Sequence, residues 1–118
     1  MPVEVEDSIL QTTKKNLGID STYTSFDLDV ITHINAALAT LGDLGIEPDP
    51  EVVVEDENAV WTDLLDNDPR SNRIKTYIYL WVKRVFDPPA TGFLSTALDN
   101  QIKELEWRIS SQREESIP

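Results

Sequence analysis

Apolar residues recur at steps of three and four along several stretches of the chain, which is the spacing of one buried helical face. The first stretch follows Asp7 and Ser8, which are suitable N-caps, and ends at Gly18, a common stop signal. The second stretch opens at 25–27 and runs to about Asp43. The positions expected to be buried are Ile9, Leu10, Thr13 and Leu17 in the first helix and Val30, Ile31, Ile34, Ala37, Leu38, Leu41 and Leu44 in the second.

Two longer patterns occupy the second half of the chain. The clearest runs from Arg70 to Phe86, and the last runs from about Thr91 to Arg113. The predicted buried positions are Ile74, Tyr77, Ile78, Trp81, Val82 and Val85 in the first of these and Leu94, Ala97, Leu98, Ile102, Leu105 and Ile109 in the second. Trp107 falls off the last stripe. It either folds back over the core or serves as an exposed aromatic anchor for another protein.

Weaker signals lie between the long patterns. The stretch AVWTDLL predicts a short helix or turn that buries Trp61, Leu64 and Leu65. The Pro-containing acidic segment 46–58 is expected to be an exposed irregular loop, with room for a short edge strand near 51–54.

The fold expected from these patterns is mainly α. We predict one domain, 1–118, built as a small bundle of four to five helices, with flexible tails at 1–7 and 111–118.

The stretch VFDPPATGF separates the two long helices. Proline disfavours the α conformation in the residue before it, so Asp87 should end the first of these helices. Pro88 and Pro89 then force a rigid corner before a helix reopens at Thr91 or Gly92. We expect Gly92 to let the backbone pass closely beneath Phe86 and Phe93.

Charge is divided unevenly along the chain. The net charge is -12, but residues 1–69 hold 16 acidic and 2 basic side chains, whereas residues 70–118 hold 6 acidic and 8 basic. Such polarity suits copies that meet head to tail and close into a ring, and it also suits simple solubility. The sequence contains no basic stripe with interleaved aromatic residues of the kind that binds nucleic acid.

Catalytic and metal-binding chemistry is poorly represented. The chain has no cysteine, and its one histidine, His33, lies in mid-helix, where we expect a structural or surface role. The Asp27 and Asp29 pair begins a helix and offsets its dipole. The segment 66–72, which contains Asp66 and Asp68, starts like a calcium loop but lacks its glycine and its closing glutamate. We therefore predict no enzyme activity, no cofactor and no metal.

No apolar run approaches the roughly 20 residues that cross a bilayer. The first residues lack the basic flank of a signal peptide. We expect the protein to assemble in the cytoplasm and not to associate with a membrane.

Three pieces of sequence together resemble the head-to-tail connector, or adaptor, proteins of tailed bacteriophages. They are SFDLDVITHINAALATLGDLGI, WTDLL and IKTYIYLWVKRVFDPPATGFLSTALDNQIKELEWRI. With the earlier KKNLGI they cover most of residues 8–110. The most specific part is the last, in which a Lys-Thr-Tyr helix precedes the FDPP corner and a KELEWR helix.

The resemblance implies a structural protein of the virion neck. Such a protein forms a ring, a dodecamer to match the portal, beneath the portal vertex. The ring extends the DNA channel, supports the stopper or tail completion protein, and lets the genome pass without sequence-specific binding. The family implies no catalysis and no cofactor.

The resemblance also assigns roles to residues. The corner, made of Phe86, Asp87, Pro88, Pro89, Gly92 and Phe93, orients the closing helix. That helix helps attach the ring to the portal, and Glu104, Trp107 and Arg108 fall in the matching stretch. We also expect Lys83, Arg84 and Arg108 to meet acidic groups of an adjacent copy or of the portal.

An alternative function of another class stays open from the residues alone. That alternative is a small acidic regulatory or inhibitory binding module, for instance one that mimics nucleic acid. A mimic would present carboxylates along one continuous exposed face. Here the acids cluster instead at turns, helix starts and one loop.

Overall fold

The computed structural model of the chain describes residues 7–44, 53–65 and 70–116. Five helices lie within these residues: α1 (Ile9–Leu17), α2 (Asp27–Asp43), α3 (Trp61–Leu65), α4 (Ser71–Phe86) and α5 (Gly92–Ser116). Over the same residues no sheet forms, and one isolated antiparallel bridge joins Ser8 to Val60. The predicted mainly helical bundle is confirmed.

Both ends of α1 are fixed by the residues that the sequence indicated. The Ser8 hydroxyl accepts a hydrogen bond from the Gln11 amide at 3.2 Å, which satisfies one of the free donors of the first turn. Gly18 ends the helix with φ of 82°, a left-handed conformation that glycine adopts without steric cost.

The core lies where α4 packs against α1, α2 and α5. Its buried apolar residues are Ile9, Leu10, Val30, Ile34, Ala37, Leu41, Val54, Trp61, Leu64, Leu65, Ile74, Tyr77, Ile78, Val82, Leu98, Ile102 and Ile109. Most of the predicted stripe positions are therefore confirmed, and Trp81 packs against this core while staying partly exposed.

Four predicted stripe positions are exposed instead: Ala97 within α5 and three positions near helix ends. Leu44, Val85 and Leu94 are 45%, 44% and 51% exposed. Each lies within three residues of a helix end. A stripe continues to the end of its helix, but the neighbouring helix no longer covers it there. The sequence predicts that Gly42 and Gly45 end α2. Gly42 instead lies inside that helix, and Gly45 lies outside the described residues.

Val54 is buried without belonging to a strand. The Asn35 side chain donates from Nδ2 to the Val54 carbonyl at 2.9 Å and accepts the Val54 amide at 3.1 Å. These two hydrogen bonds satisfy the backbone N–H and C=O of Val54, which a neighbouring strand would otherwise bind. Residues 1–6, 46–52 and 117–118 of the predicted tails and loop lie outside the described residues.

A buried lysine joins α1 to the start of α2. Lys14 has no exposed surface, and its Nζ lies 2.8 Å from Oδ1 of Asp27. The same ammonium donates to the carbonyls of Tyr23 at 2.7 Å and Ser21 at 3.3 Å. A charged group leaves water only when it is paired in this way, so Lys14 fixes the connection between the two helices.

Candidate assembly surfaces

The FDPP corner forms where the sequence predicts it. α4 ends at Phe86, and Asp87 adopts φ of -139° and ψ of 69°, outside the helical region as expected for a residue before proline. The Asp87 amide still donates to the Lys83 carbonyl at 2.9 Å. Across the corner, the Thr91 hydroxyl accepts the Leu94 amide at 3.2 Å and so caps α5.

The expectation about Gly92 is wrong. A Cβ atom built at Gly92 meets nothing within 4 Å. The Phe86 ring therefore does not lie over Gly92, and the two phenylalanines have separate environments. Phe86 is partly buried, whereas Phe93 is 82% exposed.

An aromatic cluster ties the corner to the connection between α1 and α2. The ring centroids of Tyr23 and Phe26 lie 5.4 Å apart, and those of Phe26 and Phe86 lie 5.2 Å apart in an edge-to-face arrangement. Lys14 holds the Tyr23 carbonyl, so the cluster rests on a fixed loop.

Two polar contacts set α5 against α4. The Tyr77 hydroxyl donates to Oε2 of Glu106 at 2.9 Å, and the guanidinium of Arg84 lies 3.4 Å from Oδ1 of Asp99. Burial raises the pKa of Tyr77, and the hydrogen bond to the Glu106 carboxylate raises it further. Because the two pairs lie at different levels of the bundle, they fix the register of the antiparallel hairpin.

The three basic residues predicted to bind other subunits are paired within their own chain. Lys83 lies 3.8 Å from Asp87, and Arg84 stacks 4.4 Å from the ring centroid of Trp81 besides contacting Asp99. Arg108 holds Oε1 of Glu104 through Nε and Nη2 at 2.9 and 2.8 Å. All three basic side chains keep exposed surface, at which a second partner has access.

Trp107 does not fold back over the core, because its side chain is 68% exposed. Phe93, on the same helix, is more exposed still. We call the exposed positions Phe93, Asn100, Glu104, Trp107 and Arg108 the outer α5 face. The sequence assigned Phe93 to the corner and missed its exposure, although its position off the apolar stripe was a usable signal.

Nothing in the described part of the chain resembles a metal centre, since no group of three or more His, Asp and Glu side chains converges there. His33 is partly exposed on α2. Asp27 and Asp29 lie in the first turn of that helix as predicted. Asp66 and Asp68 lie outside the described residues.

A family model described as phage connector protein matches residues 9–116. The chain belongs to the phage connector protein family. The match spans all five helices, including the corner and the outer α5 face. No match was found among curated proteins or among solved structures.

Membership gives this connector a structural role in the virion. It places the protein at the virion neck, in contact with other virion proteins. The family is structural and not enzymatic. No helix in the described ranges is long and apolar enough to span a membrane.

Proposed function

We propose that this connector assembles in the host cytoplasm into a ring at the portal vertex. The ring joins the portal to the stopper or tail completion protein and extends the DNA channel. The observation that carries the proposal is the outer α5 face, on which Phe93 and Trp107 are 82% and 68% exposed in a chain of the connector family. Large aromatic side chains left uncovered on a small domain are typical of protein contacts.

The outer α5 face suits docking on the portal. Phe93, Asn100 and Trp107 follow one another at intervals of seven residues, so they lie nearly in line along the helix. At 1.5 Å per residue, Phe93 and Trp107 are about 21 Å apart. The pair of Glu104 and Arg108 lies beside this line and adds charge next to the aromatic groups. Two aromatic anchors flanked by a paired charge make a specific contact site.

Charge supports a role as a conduit for DNA. The acidic first part of the chain gives a ring many carboxylates and few cations. Carboxylates that line a channel repel DNA phosphates, whereas cations form many salt-dependent contacts that hold the DNA. A ring of twelve copies matches the portal and lets the genome slide through.

Light scattering on the purified protein, alone and mixed with the portal protein of the same phage, tests the proposal. We expect a ring from the protein alone, or a defined complex that neither partner forms by itself. A connector that stays monomeric and ignores the portal would contradict the proposal.

A further inference from the structure

A polar pocket lies between α1, α3 and α4. It has a volume of about 190 Å³, and its lining includes the ammonium of Lys75, the indole of Trp61 and the hydroxyls of Thr12, Thr76 and Tyr79. Of the residues that the structure describes, no carboxylate lines this pocket. In a chain with 22 acidic and 10 basic residues, a pocket with a cation and no acid is a suitable receptor for an anion.

Lys75 is held in place, and no residue of the described ranges serves as its counterion. Its Nζ lies 5.4 Å from the ring centroid of Trp61, close enough for a cation–π contact. That ring is itself fixed, because Trp61 is 7% exposed and its Nε1 donates to Oγ1 of Thr12 at 2.9 Å. Across the described ranges, no carboxylate lies within ion-pair distance of Lys75. The ammonium therefore keeps hydrogen-bond donors for an incoming group.

The other side of α1 carries the opposite charge. Thr12, Thr13 and Asn16 face the Lys75 pocket, whereas Gln11 faces the segment that precedes α3 and donates to Oε2 of Glu57 at 2.9 Å. At 100° per residue these two sets of side chains lie on roughly opposite faces of the helix.

Glu55 and Asp56, which we call the acidic edge, lie on that second side. Both are exposed, and within the described part of the chain neither forms an ion pair. The backbone of this segment is anchored to α1 by the bond from the Ile9 amide to the Ala59 carbonyl at 3.0 Å. The acidic edge is thus a defined surface.

We propose that the acidic edge of one copy docks into the Lys75 pocket of the next copy. A head-to-tail contact between identical chains needs two different and complementary surfaces on each chain, and these surfaces meet that condition. Carboxylates meeting an ammonium in a pocket fix the register of neighbours. The inference rests on the proposed ring and names the residues that close it.

A pair of charge-reversal variants tests the contact. One carries Lys75→Glu, and the other carries Glu55→Lys with Asp56→Lys. In sedimentation experiments, we expect the fraction of protein in rings to fall about tenfold or more for each variant alone, since like charges then meet. We expect an equimolar mixture to restore rings, because alternating copies again pair opposite charges in an even-numbered ring. Circular dichroism checks that each variant stays folded.

Lys103→Glu provides the matched control, because Lys103 is exposed on α5 and does not line the pocket. It makes the same change in charge and should leave self-assembly unchanged. The inference is wrong if Lys75→Glu assembles as well as this control, or if the mixture of folded variants stays monomeric. If the unmodified protein forms no ring either alone or on the portal, the proposed function fails together with the inference.

Discussion

At the scale of single residues, the fully buried Lys14 holds the Asp27 carboxylate and two backbone carbonyls. Replacing it by methionine keeps the volume but leaves Asp27 without its counterion and two carbonyls without their donor. We expect Lys14→Met to lower the free energy of unfolding by about 2–3 kcal/mol, measured by urea denaturation. Lys15→Met is the control, because Lys15 is exposed and should change stability by less than about 0.5 kcal/mol. Equal losses of unfolding free energy in the two variants would show that Lys14 does not fix the connection between α1 and α2.

Trp107 belongs to the same scale. Since its side chain is 68% exposed, Trp107→Ala should leave the melting temperature of the monomer nearly unchanged while weakening the complex with the portal about tenfold or more. Trp61→Ala gives the opposite pattern, because Trp61 is buried and its loss should cost about 3–5 kcal/mol of stability. Full portal binding by Trp107→Ala would exclude the anchor role.

At the scale of elements, the α4–α5 hairpin has a built-in dependence on high pH. The raised pKa of Tyr77 means that the folded state keeps this proton where the unfolded chain loses it, above the ordinary value of 10.0. The stability it contributes is thus fully present below pH 10 and falls as the pH rises further. We expect Tyr77→Phe to remove that part of the alkaline loss. The urea denaturation midpoints of both proteins are compared between roughly pH 9 and 11, which spans this onset. Midpoints that change with pH in parallel in the two proteins would contradict the prediction.

The two glycines at helix termini should respond in opposite ways to alanine. Gly92 opens α5 and has free space for a Cβ, so Gly92→Ala should stabilise the protein by about 0.4–1 kcal/mol through the unfolded state. Gly18 has φ of 82°, so Gly18→Ala should cost about 1–2 kcal/mol. Thermal unfolding measures both. A loss of stability in Gly92→Ala would show that the corner needs glycine.

At the scale of the whole molecule, the net charge of -12 governs encounters with nucleic acid. We expect no complex with duplex DNA at physiological salt, because the excess of 22 acidic over 10 basic side chains repels the phosphates. Fluorescence anisotropy with labelled DNA measures this. Binding that weakens as salt is added would contradict it and would argue against a channel through which the genome slides.

The sequence by itself determined the four longer helices and several of their boundaries. Local sequence predicts the Ser8 cap, the Gly18 stop and the proline corner, because each acts on residues only a few positions away. The apolar stripes of α1, α2, α4 and α5 together likewise predicted most of the core. These features depend on local geometry and periodicity alone.

Only the tertiary structure decided which surfaces stay uncovered and which charges are buried. The sequence left open whether Trp107 packs on the core or is exposed, and only the packing of α5 on α4 shows that its side chain is exposed. No local pattern marks Lys14 as buried, yet two carbonyls of the following connection and the Asp27 carboxylate of α2 enclose it. The Lys75 pocket likewise joins residues from three helices. Such arrangements depend on contacts between distant parts of the chain, which local sequence patterns do not encode.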